Sequence, residues 1–131
     1  MSTLIASLAL AAIIAGETPG CPFEAKLAVA HVAQRNPVWY ASADPTASDI
    51  LAALTFAQYP DPTDGATFLI GPGDAAKMTY LGERTARFEC NGTWLEAYKA
   101  DTSGWMAAPI AEVPPQAARL FEGFKWAREF N

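Results

Sequence analysis

The sequence predicts a mostly α-helical domain with a β component, α+β in class. Three observations carry that expectation. Apolar residues recur at helical spacing in four stretches, and turns rich in Pro and Gly separate several of them. One Asn-Gly dipeptide stands between strand-like flanks. No repeat or linker divides the 131 residues, so a single domain spanning 1–131 is expected.

The first helix is expected from a Ser2 or Thr3 cap to about Gly16. Its residues are apolar in every direction, which predicts a helix buried among others. Residues 4–15 also resemble the apolar core of a signal peptide. No Lys or Arg precedes them, however, and the run is too short to span a bilayer, so a buried first helix is the expectation. Thr18-Pro19-Gly20 stops this helix. Pro22 suits the start of a second, on which Phe23, Leu27 and Ala30 form an apolar stripe that ends before Pro37.

Thr46-Ala47-Ser48-Asp49 has the capping-box spacing, with Asp in place of the usual Glu. Ile50, Leu51, Leu54 and Ala57 then make a third helix. Two Pro, two Asp and a Gly mark residues 59–65 as a loop, and residues 66–70 suit a short strand. Asn91-Gly92 predicts a type I′ hairpin that sets Cys90 opposite Thr93, Phe88 opposite Leu95 and Arg87 opposite Glu96. Residues 101–115 read as loop. Ala117, Leu120, Phe121, Phe124 and Ala127 form a last helical stripe.

The composition excludes several functions. A net charge of −5 with no basic run argues against nucleic acid as a partner, because phosphate neutralisation needs clustered Lys and Arg. No stable membrane insertion is expected. Cys21 and Cys90 permit one bridge or two buried thiols, and their spacing does not choose between them. Two Cys and one His give no zinc spacing, so neither metal nor cofactor is expected.

One residue stands out for its chemistry. Glu17 closes a run free of charge and precedes a turn. The negative end of the helix dipole and apolar neighbours both raise a carboxyl pKa. A carboxyl kept protonated near neutral pH can give a proton to a leaving oxygen, as the acid of a glycosidase does.

The segment from Gly16 to Val32, "GETPGCPFEAKLAVAHV", resembles the opening motif of the SleB-type cell wall hydrolases, the spore-cortex-lytic enzymes and their phage and bacterial relatives. Their pattern is roughly E-A-x-G-E-x-x-E-G-x-x-A-V-A-x-V, followed by Asn-Arg. Its first Glu falls on Glu17 and its third on Glu24. Its A-V-A falls on Ala28-Val29-Ala30, and Val32 follows. The later D-P-T-x-G-A motif is matched by Asp61 to Ala66, with Phe68 two residues on. The resemblance covers roughly residues 8–98. It departs from the pattern at Thr18, at Cys21 in the place of the second Glu, at Arg35-Asn36 in reversed order, and at Thr93-Trp94-Leu95 in place of a His-x-Phe-Tyr ending.

The resemblance implies a lysozyme-like fold that cleaves the glycan strands of peptidoglycan between muramic acid and glucosamine. Glu17 would be its general acid. Two mechanisms stay open. A hydrolase needs a second carboxylate across the bond. A lytic transglycosylase needs one, since the muramic C6 hydroxyl replaces water, and this is the preferred expectation. A non-catalytic wall-binding or structural module on the same fold is the rival from another class. The expected substrate-binding residues are Glu24, Asp61, Thr63, Tyr80, Trp94 and Tyr98, with Asp61 and Thr63 on a loop that would wall the groove. Aromatic rings offer flat apolar faces to pyranoses. The expected place of action is the cell wall, in the periplasm or outside the cell. The enzyme would be carried in a phage particle, released by a holin or docked to another delivery assembly.

Overall fold

The computed structural model describes residues 2–36, 40–75, 78–80, 82–100 and 107–109, with side chains described at 6–36, 40–73 and 82–99. The last helical stripe, 117–127, lies outside the described residues. Three helices and a three-stranded antiparallel sheet make up the fold, α+β in class.

Helix α1 spans Ser2–Glu17 and α2 spans Phe23–Arg35. Pro22 stands at the N-cap of α2, and Glu24 and Arg35 sit in its first and last turns, where their charges suit the helix dipole. Helix α2, not α1, is the enclosed one. Ala25, Leu27, Ala28, Val29, Ala30, Val32 and Ala33 are all buried along it. On α1, Ala11 and Ile14 are fully buried, whereas Leu8 is 46% exposed. The expectation of a buried first helix is therefore corrected. An all-apolar helix carries no sign of which stripe will find a partner, and this one buries the stripe that meets α2 and α3.

Helix α3, Ala47–Thr55, begins with the expected capping box. Thr46 Oγ1 accepts from Asp49 N, and Asp49 Oδ2 accepts from Thr46 N at 2.8 Å. Asp is short enough to close this box and still present Oδ1 to Lys26 Nζ at 2.5 Å, a part-buried ion pair between α2 and α3. Burial alone would raise the Asp49 carboxyl. The hydrogen bonds from Lys26 and Thr46 outweigh it and hold the group below its usual value.

The sheet has the order β1-β4-β3, with β1 Phe68–Ile70, β3 Gly82–Cys90 and β4 Thr93–Ala100. Asn91 and Gly92 both have positive φ, 49° and 91°, as a type I′ turn requires. The hairpin register is the expected one: Cys90 opposite Thr93, Phe88 opposite Leu95, Arg87 opposite Glu96. Phe88, Cys90 and Leu95 join the helical core. By alternation, Arg87, Glu89, Trp94 and Glu96 face the other way. After β1 come a single helical turn α4, Pro72–Ala75, and β2, Met78–Tyr80, which pairs with β5, Ala107–Pro109. The loop expected over 101–115 thus contains a strand, too short to show a period.

Cys21 and Cys90 form a disulfide. It ties the α1–α2 turn to the end of the hairpin and chooses between the two states the sequence left open.

Candidate functional site

Glu17 is the last residue of α1, and its surroundings explain its place. Thr18 is buried, and both its N–H and its hydroxyl donate to the Ile14 carbonyl, at 2.9 and 2.6 Å. This satisfies an end carbonyl, and Pro19, which has no N–H to donate, stops the helix. Gly20, with φ of 75°, turns the chain toward α2. A strap of residues 40–43 crosses the end of α1. Ala43 N donates to Ala12 O at 3.0 Å, and Ala41 N donates to Glu17 Oε2 at 2.8 Å. The strap comes this close because position 16 is glycine. A Cβ there would lie 2.5 Å from backbone atoms of Ala41 and Ser42. Tyr40 leads into the strap and donates its hydroxyl to Asn36 O at 2.6 Å. Burial, and then the nearby Glu17 charge, push the Tyr40 phenol far above its usual value.

Gly16→Ala tests this arrangement. The added methyl meets backbone, which cannot rotate away, so a loss of about 1–3 kcal/mol is expected, as for other overpacked sites. Denaturant unfolding measures it. An unchanged midpoint would show that the strap does not lie against Gly16.

Glu17 lines a cleft of about 180 Å³ with Pro19, Cys21, Gly71, Pro72, Thr93 and Trp94. Three segments build it: the end of α1 with the α1–α2 turn, Gly71-Pro72 after β1, and the start of β4. A larger, shallower depression of about 420 Å³ lies elsewhere, between Leu10 and Ile13 of α1, Ala33 of α2 and Ala53 and Phe56 at α3, and its walls are mostly apolar. The Glu17 cleft is smaller than a pocket that engulfs its ligand. A long polymer could only lie across it. Of the described residues that line this cleft, Glu17 is the one carboxylate.

The structure brings together two of the residues named from sequence, Glu17 and Trp94. The others are placed as follows. Glu24 is exposed on the first turn of α2 and does not line the cleft. Its spacing suited a surface position, and that is where it stands. Asp61 and Thr63 organise their own loop instead of contributing to the cleft lining. Asp61 Oδ1 accepts from Thr63 N and Oγ1, at 2.8 and 2.6 Å, and Asp61 Oδ2 accepts from Gly65 N and from Arg35. Thr63 is fully buried, and its Oγ1 also accepts from Ala66 N. Burial alone would raise the Asp61 carboxyl, but these donors bring it down to about 2. This is Asx-turn chemistry, with an arginine as the outer lock. Tyr98 stacks on Phe68, ring centroids 5.7 Å apart, and donates to Glu96 Oε1 at 2.9 Å, so its ring is engaged on the outer sheet face. Tyr80 lies on β2, outside the hairpin, and its side chain is outside the described residues.

Sequence reasoning missed the residues that join these parts. Arg35 donates to Ala66 O and Asp61, and Asn36 Nδ2 donates to Thr67 O, so the end of α2 grips the 61–67 loop. Asn36 O in turn holds Tyr40. The signal available was the reversed Arg35-Asn36 pair, read only as a departure from a pattern. Among the described residues no group of three His, Cys, Asp or Glu could hold a metal ion. No protein-family model, no curated protein and no solved structure matches this chain.

Proposed function

We propose that the protein cuts peptidoglycan glycan strands as a lytic transglycosylase on a lysozyme-like fold, with Glu17 as acid and then base. The observation that carries this reading is a cleft in which Glu17 is the one carboxylate among the described lining residues. In the first step the Glu17 carboxyl donates its proton to the glycosidic oxygen as the bond from muramic C1 to that oxygen breaks. In the second, the carboxylate takes the proton of the muramic C6 hydroxyl, whose oxygen bonds to C1. Glu17 is returned to its starting state, and the product is a 1,6-anhydro ring. A hydrolase would instead place a second carboxylate about 5–9.5 Å from the first, and none of the described cleft residues supplies one.

Further support comes from the pattern shared with SleB-type hydrolases around Glu17 and from the disulfide. Disulfides persist in oxidising compartments, where cell walls are also found. Among the described residues no helix is long and apolar enough to cross a membrane. Delivery in a phage particle, by a holin or by another assembly belongs to the same proposal.

Mass spectrometry of purified peptidoglycan after incubation tests it. Muropeptides lighter by one water than the reducing sugar are the expected product. Reducing ends throughout would make the protein a muramidase, and an undigested wall would leave a binding module on this fold.

A further inference from the structure

Glu17 closes its helix, and a long side chain there has no following turn to pack against. A group from outside the helix holds it. Ala41 N–H donates to Glu17 Oε2 at 2.8 Å, across 24 positions of sequence. This donor is a backbone amide and does not swing between rotamers. The strap that carries it is fixed on both sides. Beyond Ala41, Ala43 N donates to Ala12 O at 3.0 Å. Before it, the Tyr40 hydroxyl donates to Asn36 O at 2.6 Å. Asn36 is buried, and its Nδ2 donates to Thr67 O. Burial, and then the Glu17 charge, keep the Tyr40 phenol protonated, so it stays a donor.

The Ala41 amide makes the two oxygens of the carboxyl unequal. A carboxylic acid has a carbonyl oxygen, a good acceptor, and a hydroxyl oxygen, a poor one. A donor on Oε2 favours the form with the carbonyl there and the proton on Oε1. As the proton leaves, Oε2 takes a share of the negative charge. The Ala41 hydrogen bond then becomes charge-assisted and stronger. An interaction that strengthens while the proton is leaving lowers the barrier to its departure.

We propose that Ala41 and Tyr40 are positioning residues for the acid. The Ala41 N–H holds Glu17 Oε2 as the fixed, accepting oxygen. Oε1 is the oxygen that gives its proton to the glycosidic oxygen and takes one back from the muramic C6 hydroxyl. Tyr40 anchors the strap that carries this N–H to the end of α2. The inference rests on the glycan-cleaving function proposed above. Neither residue is among the described residues that line the cleft, and both act through Glu17.

The test is steady-state cleavage of soluble, uncrosslinked glycan strands. Ala41→Pro removes the N–H, and Ala41→Gly keeps it. Measured against Ala41→Gly, Ala41→Pro is expected to lower kcat about 10–100-fold, the factor that a hydrogen bond to a charged group carries. Tyr40→Phe releases the strap from Asn36 and is expected to lower kcat about three- to tenfold, the factor of a neutral hydrogen bond. The loss falls on kcat rather than KM, because the acid is displaced and the sugar contacts are not. In a Glu17→Gln background neither change costs anything further, since no acid is left to position. A change that merely loosened the fold would cost the same in both backgrounds. Thermal melts identify any variant that does not fold, and Tyr40→Phe keeps the test alive if Ala41→Pro is one of them. A kcat unmoved by Ala41→Pro overturns the assignment of the two oxygens, and one unmoved by Tyr40→Phe overturns the anchor. A fall that recurs in full with Glu17→Gln overturns both. Each of these leaves the glycan function standing. A wild type that does not cleave glycan overturns that function and this inference with it.

Discussion

Glu17→Gln is expected to leave the fold intact and to slow glycan cleavage by about 10²–10⁴-fold, the usual contribution of a positioned acid. The substitution is close to isosteric. Ala41 N–H now donates to Glu17 Oε2, and the carbonyl oxygen of a Gln amide can accept from the same donor. Thr18, not Glu17, satisfies the Ile14 carbonyl, so the end of the helix has no reason to fray. What the amide cannot do is give up a proton to a leaving oxygen and take one back from a hydroxyl. Far-UV dichroism and a melt check the first half of the expectation, and turnover of purified wall checks the second. A variant that cuts as fast as the wild type would remove Glu17 from the mechanism.

Replacing Cys21 and Cys90 together by Ala is expected to cost about 4 kcal/mol. The bridge closes a loop between positions 69 residues apart. In the chain-entropy description a loop of that length in the unfolded state loses roughly this much free energy of disorder when it is cross-linked. The loss is large against a total stability of about 5–15 kcal/mol for an ordinary domain. Urea unfolding of the double variant measures it, and unfolding of the wild type with and without reductant is an independent reading. Midpoints that coincide under oxidising and reducing conditions would mean that the bridge contributes nothing to stability.

The parts of the fold that could be read from sequence depend on residues close together in the chain. Asn91-Gly92 sets its own turn, and the turn sets the register down to Arg87 and Glu96. Thr46 and Asp49 are three residues apart and cap α3 as their spacing predicts. What could not be read depends on distant partners. Position 16 looked like an ordinary helix-ending glycine, yet its reason is a strap some 25 residues downstream. Asp61 looked like either a groove residue or a turn former, and Arg35, 26 residues away, completes the second role. The apolar first helix gave no hint of which stripe would be covered, since every stripe was alike. At the site, Glu17 could be singled out because a lone charge after an apolar run is unusual. Trp94 was one of several aromatic candidates, and the fold sets it among the residues that line the Glu17 cleft.

The disulfide has a consequence for the chain before it is folded. Cys21 lies four residues after Glu17, and Cys90 lies four residues before Trp94. Along the backbone Glu17 and Trp94 are 77 residues apart, but through the bridge the path is about nine links. The chance that two points of a flexible chain meet falls as roughly the −3/2 power of the path between them. In an unfolded, oxidised chain the two walls of the cleft therefore see each other at an effective concentration about 25-fold higher than in a reduced one. They are held on a short tether, and each refolding attempt starts with the site's two halves already neighbours.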